Sequence, residues 1–122
     1  ILNMTSVLAY SPAPAHFGSH AYAAAKAAVI NLTLFLAREW ATKGVRVNAI
    51  SPGWTEDSVL NTLPTQAQDL IRSWHARGWT PMGRLGTPED IGNVVALFCS
   101  EQAGWITGQV ISVDGGMSNL KL

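Results

Sequence analysis

The 122-residue chain has little charge and almost no sulfur chemistry. Eight Lys and Arg balance eight Asp and Glu, so the formal net charge is zero, and no stretch concentrates one sign. Without a basic block there is no electrostatic footprint for nucleic acid or for an anionic membrane surface. A single cysteine, Cys99, has no partner for an internal disulfide, which excludes a small stapled secreted scaffold. No apolar run approaches the roughly 18 residues that a bilayer crossing takes. No charged lead followed by an apolar segment opens the chain, and no repeat or low-complexity tract occurs. Apolar residues make up 48% against 13% charged, a balance that excludes a disordered tail and requires a buried core. The expectation is one soluble, cytoplasmic globular unit.

The chain then reads as alternating elements. Ile1-Leu2-Asn3-Met4-Thr5-Ser6 is a short apolar strand with a polar end. Pro12 and Pro14 forbid a helix in the loop that follows. Residues 21–43 contain no Gly or Pro; Ala25, Val29, Leu32, Leu36 and Trp40 recur near helical spacing, and Gly44 stands ready as a C-cap. Val45–Ser51 is a β-branched strand stopped by Pro52-Gly53. Residues 54–80 hold three of the five tryptophans and one or two short helices. Thr87-Pro88-Glu89-Asp90 starts a helix, with Thr87 as N-cap, Pro88 at the first helical position and Asp90 reaching back. Its core face is Ile91, Val94, Val95 and Phe98. Gln109–Asp114 is a last strand closed by Gly115-Gly116. Strands separated by helices pair in parallel through right-handed crossovers, which predicts an α/β layered sheet. A first strand that begins at once, and three strands whose edge is apolar, lead to the expectation that further strands precede this segment.

One pair of side chains suggests chemistry. Tyr22 and Lys26 lie four residues apart on a helix and share a face. A phenol ionises near pH ~10 in water, but an adjacent ammonium favours the phenolate and lets the oxygen exchange a proton with a carbonyl or alcohol. The bland reading of the pair is a surface lysine lying on a half-buried tyrosine. Ser6, at the end of a strand, and the turn at Pro52-Gly53 belong to the same edge of a parallel sheet, where active groups collect.

Ser6, Tyr22-x-x-x-Lys26 at the head of a long helix, and Val47-Asn48-Ala49-Ile50-Ser51-Pro52-Gly53 together resemble the classical short-chain dehydrogenases/reductases. Pro81-Met82-Gly83-Arg84-Leu85-Gly86-Thr87-Pro88-Glu89-Asp90-Ile91 and Ile106-Thr107-Gly108-Gln109 through Val113-Asp114-Gly115-Gly116 are similar to that family's later stretches. The resemblance covers essentially the whole chain. It implies the C-terminal half of a Rossmann-like, doubly wound parallel sheet with flanking helices, whose N-terminal dinucleotide-binding half lies outside residues 1–122. It also implies that residues 54–80 form a substrate lid whose tryptophans line an apolar pocket.

By the same resemblance Tyr22 is the general acid/base, Lys26 favours its ionised form and bonds the ribose hydroxyls, and Ser6 holds the substrate oxygen. Pro52, Gly53 and Thr55 contact the nicotinamide carboxamide of NAD or NADP. The chain departs from the family pattern in three places. The family sets its serine about 13 residues before the tyrosine, a position held here by Ala9, whereas Ser6 lies 16 before; Ser11 is the rival, in the loop. Thr55 takes the carboxamide role only with one residue deleted after Gly53. No glycine-rich turn for the pyrophosphate and no residue choosing between NAD and NADP occurs in the chain.

Other residues read as structural. His16 and His20 are four apart, but Gly18 lies between them and His75 is distant, so loop histidines and no metal are expected. Cys99 reads as a buried inert thiol. Asp114-Gly115-Gly116 reads as a strand-ending turn.

The expected activity is hydride transfer between NAD(P)(H) and a carbonyl/alcohol substrate, of 3-oxoacyl reductase or polyol dehydrogenase type, in a homodimer or homotetramer. The alternatives are an enoyl reductase of the same fold, or a truncated scaffold without activity. The 122 residues alone are expected to be inactive.

Overall fold

Among the described residues three short strands, β1 (Leu2–Met4), β2 (Asn48–Pro52) and β3 (Val110–Val113), pair in parallel in the order β1-β2-β3. Among the described residues α1 (His20–Trp40) connects β1 to β2, and α2 (Thr65–Trp74) and α3 (Pro88–Cys99) both lie between β2 and β3. This is the expected α/β arrangement. The computed structural model describes residues 1–11, 19–56 and 59–119. Met4 stands opposite Ile50, and Ile50 opposite Ile111, so one register runs across the sheet.

β2 is the middle strand and its residues are buried without alternation: Ala49, Ile50 and Ser51 have no exposed surface. That is the pattern of a parallel strand covered on both faces. Its one buried amide is satisfied, since Asn48 Nδ2 donates to the Ile106 carbonyl at 2.8 Å and Asn48 Oδ1 accepts the Gln109 N–H at 3.0 Å. The strand starts at Asn48 rather than Val45, because Val45 still bonds back to Trp40 and Val47 to the Thr107 hydroxyl. β3 is likewise shorter than read from the sequence: the Gln109 N–H serves Asn48, and the Asp114 carboxylate accepts the N–H groups of Gly116 and Ser118 at 2.9 and 2.8 Å.

α1 is capped by the Ser19 hydroxyl and continues through a single 3-10 turn to Gly44, whose φ of 71° is the left-handed conformation that glycine allows. Its buried line differs from the expected stripe. Thr33 and Ala37 are buried, while Leu32 is 52% and Phe35 69% exposed. Small residues let the helix lie close: Asn3 Nδ2 donates to Thr33 Oγ1 at 2.9 Å, and a Cβ on Gly108 would stand 3.5 Å from the Ala37 Cβ. By length and composition alone His20–Lys43 is apolar enough to cross a membrane, against the sequence reading. Here the helix is bonded to the sheet.

α3 begins as expected with a complete capping box, the Thr87 hydroxyl accepting from the Asp90 N–H and the Asp90 carboxylate from the Thr87 N–H. At its other end Arg46 donates to the carbonyls of Phe98 and Ser100, at 2.9 and 3.3 Å, where cations suit a helix C-terminus. Phe98 is buried on the face that points to the core, but Cys99, one residue round the helix, is exposed, which corrects its reading as a buried thiol.

Candidate active site

The Ser19 cap starts α1 two residues before Tyr22, and Lys26 follows one turn on. The Lys26 ammonium lies 5.6 Å from the centre of the Tyr22 ring, within cation–π range. The same ammonium donates to the Met4 carbonyl at 3.0 Å, so the pair sits at the carboxyl end of β1. In return, the Thr5 hydroxyl donates to the Lys26 backbone carbonyl at 2.7 Å. Tyr22 is 45% exposed, leaving the phenol open to a ligand.

Ser6 comes two residues after β1 ends, because the ladder closes with Thr5 N–H to the Ile50 carbonyl and the chain then turns. It caps the 3-10 turn Val7–Ala9 by accepting the Leu8 N–H at 3.2 Å. A hydroxyl that accepts one bond keeps its O–H to donate. Ser6 therefore stands beside the residue that bonds to Lys26. Ala9 offers no hydroxyl, and Ser11 lies past the turn, its N–H bonded to the Val7 carbonyl. Tyr10 between them reaches the Ser112 hydroxyl on β3, a bond across 102 residues that no local sequence signal announces.

Pro52 ends β2 opposite Val113, a place that tolerates its missing N–H. Gly53 donates to the Val113 carbonyl at 3.1 Å, so both residues lie at the same carboxyl edge as Met4. Thr55 bridges Gly86, and Trp54 and Glu56 flank it with backbone bonds to the same residue.

The three tryptophans of residues 54–80 are half-buried and rest on neighbouring side chains. Trp54 and Trp74 cover a cluster of Leu60, Ile71 and Leu85. Trp79 stacks on His75 at 5.0 Å and meets Trp74 edge-on at 5.6 Å. Buried His75 shares a hydrogen bond between Nδ1 and the Thr80 hydroxyl, and its Nε2 has no partner. Burial holds this imidazole below its ordinary value, against the opposing charge of Glu56. Glu56 is itself gripped through both oxygens by Arg72, at 3.0 Å and 3.2 Å.

His20 is the exposed first residue of α1, and His16 lies outside the described residues. Among the described residues no three His, Cys, Asp or Glu side chains form a metal-holding group.

A family model described as enoyl-(acyl carrier protein) reductase matches residues 1–118. The 3-oxoacyl-(acyl-carrier-protein) reductase FabG of Thermotoga maritima is 38% identical over 117 residues, 96% of this chain and 44% of that protein. Among solved structures, the 3-oxoacyl-(acyl-carrier protein) reductase of Brucella melitensis is 30% identical with a TM-score of 0.84, over 97% of this chain and 41% of its own. The angucycline C-6 ketoreductase LanV, solved with bound NADP, is 28% identical with a TM-score of 0.82, over 98% of this chain and 44% of its own. The chain spans less than half the length of these relatives.

Proposed function

This chain belongs to the short-chain dehydrogenase/reductase family, and on that premise we propose that it carries the proton-handling and substrate-facing part of an NAD(P)(H)-dependent oxidoreductase acting on a carbonyl/alcohol pair. The observation that carries the reading is the Lys26 ammonium 5.6 Å from the Tyr22 ring, both held at the carboxyl edge of a parallel sheet.

The donor set suits the nicotinamide end of a dinucleotide. An ammonium and a phenol match ribose hydroxyls, and the backbone around Pro52 and Gly53, with Thr55, matches a carboxamide. The cofactor supplies or accepts the hydride. Tyr22 gives its proton to the carbonyl oxygen as the alcohol forms, or takes it back in the other direction. Lys26 holds positive charge beside the phenolate left behind. Ser6, with its O–H free to donate after accepting from Leu8, orients the substrate oxygen. Residues 54–80 close over the substrate as a lid. The NADP bound to LanV supports NADP as the dinucleotide.

The substrate class we favour is a 3-oxoacyl thioester, after the names of the similar reductases. The description of the matching family model supports a second reading, reduction of a carbon–carbon double bond next to a thioester. The complete protein, assayed by NADPH and NADH oxidation with a 3-oxoacyl thioester, a 2-enoyl thioester and a polyol in the reverse direction, separates these. Turnover with the 3-oxoacyl substrate alone is expected; turnover with the 2-enoyl substrate alone selects the second reading, and none at all refutes both. The exposed apolar face of α1, with Leu32 and Phe35, supports a homodimer or homotetramer, and the setting we propose is cytoplasmic.

A further inference from the structure

We propose that Thr5 is a positioning residue for Lys26, an inference that rests on the reading of Tyr22 and Lys26 as the proton-handling pair. Thr5 is 2% exposed, and its N–H is fixed to the sheet by a 2.9 Å bond to the Ile50 carbonyl. From that fixed point its Oγ1 donates to the Lys26 backbone carbonyl at 2.7 Å, while the Lys26 ammonium returns to the Met4 carbonyl at 3.0 Å. Two bonds in opposite directions thus clasp one helical residue to Met4, the last residue of β1, and to Thr5 just after it.

The two bonds differ in permanence. The ammonium bond is at the surface, and the ammonium sits on a flexible four-carbon stem, so it exchanges acceptors readily. The Thr5 bond is sheltered and holds the backbone. When Lys26 gives up Met4 to reach another acceptor, Thr5 keeps its Cα, and with it the Tyr22 turn, in place. Without the hydroxyl, the hydrogen bond left between this turn of α1 and the end of β1 among the described residues is the one that function must break. The next tie is Asn3 to Thr33, seven residues further along the helix.

The Lys26 carbonyl keeps its own helical acceptor role when the hydroxyl is removed, so a Thr5→Val protein leaves no buried group unsatisfied and folds. Four variants of the complete protein test the inference: Thr5→Val, Thr5→Ser, Asn3→Ala and, as a control on the pair itself, Tyr22→Phe. Each is read by kcat and KM for hydride transfer and by amide hydrogen exchange along α1.

Thr5→Val is expected to lower kcat roughly 10- to 100-fold with KM changed by less than about 3-fold, since the group lost acts on geometry and not on binding. Amide exchange in the turns around Lys26 should rise with it. Thr5→Ser restores both, and Asn3→Ala loosens the far half of the helix while kcat stays near wild type. Wild-type kcat in Thr5→Val, alongside a collapse in Tyr22→Phe, overturns the role of Thr5 and spares the pair. Equal losses in Thr5→Val and Asn3→Ala make Thr5 an ordinary packing contact and overturn it too. Wild-type turnover in Tyr22→Phe removes the pair, and the role of Thr5 falls with it.

Discussion

Gly53 lies so close to Asp114 that a Cβ on Gly53 would stand 2.8 Å from the Asp114 Cβ and 2.9 Å from its Cα. Because one of those atoms is backbone, neither can swing aside. The contact seats the first residue after β2 against the first residue after β3, and so fixes the edge on which the proposed carboxamide contacts stand. Gly53→Ala is expected to destabilise the fold by about 1–3 kcal/mol through overpacking. Urea denaturation checks this, and an unchanged midpoint refutes it.

Asp90 accepts from Arg84 at 2.6 and 3.0 Å and from the Thr87 N–H. The Arg84 guanidinium, first, and then the Thr87 backbone hold its carboxyl far below the usual carboxylate range. A depressed carboxylate contributes stability that is present above its unfolded value of about 4 and is lost as pH falls below it. Urea midpoints between pH ~2 and ~5 should therefore fall with acid in the wild type and fall less in Asp90→Asn. Identical slopes contradict the assignment.

His75 works in the same direction at higher pH. Burial makes its imidazole harder to protonate, with Glu56 opposing, so the unfolded chain takes up a proton first as pH falls. Stability is complete above about pH 6.5 and declines below it, until the folded state too becomes protonated. A His75→Phe protein loses the Thr80 bond but should show a flatter midpoint between pH ~7.5 and ~5. An equal or steeper slope in the variant would count against this reading.

On α1 the exposed and buried faces predict opposite results. Ala37→Leu, against the sheet near Gly108, should destabilise by about 1–3 kcal/mol. Phe35→Ser, 69% exposed, should leave the folding midpoint nearly unchanged while shifting the complete protein toward monomer in light scattering. A Phe35→Ser protein of unaltered mass contradicts the assembly face.

These results show where sequence and structure part. The alternation of elements, the parallel order, the Thr87 capping box and the Gly44 stop were all legible, because each depends on local residue chemistry. The face of α1 was not. Leu32 and Leu36 outrank Thr33 and Ala37 in hydrophobicity, yet close approach to the sheet selects the small residues, and the Asn3 bond makes Thr33 welcome inside. The approach of Lys26 to the Tyr22 ring was legible from their spacing. Thr5 was not, since nothing local says that a hydroxyl next to Ser6 will meet a carbonyl 21 residues later. In residues 54–80 the sequence shows aromatic content but not that Trp54 and Trp74 rest on Leu60, Ile71 and Leu85.

The most direct test of the account is the turnover of Tyr22→Phe in the complete protein, measured as NADPH- or NADH-dependent reduction of the substrate that the wild type accepts. The account predicts a loss of roughly 10²- to 10⁴-fold in kcat, the range a positioned proton donor supplies, with cofactor binding retained. Turnover near the wild-type rate would contradict it.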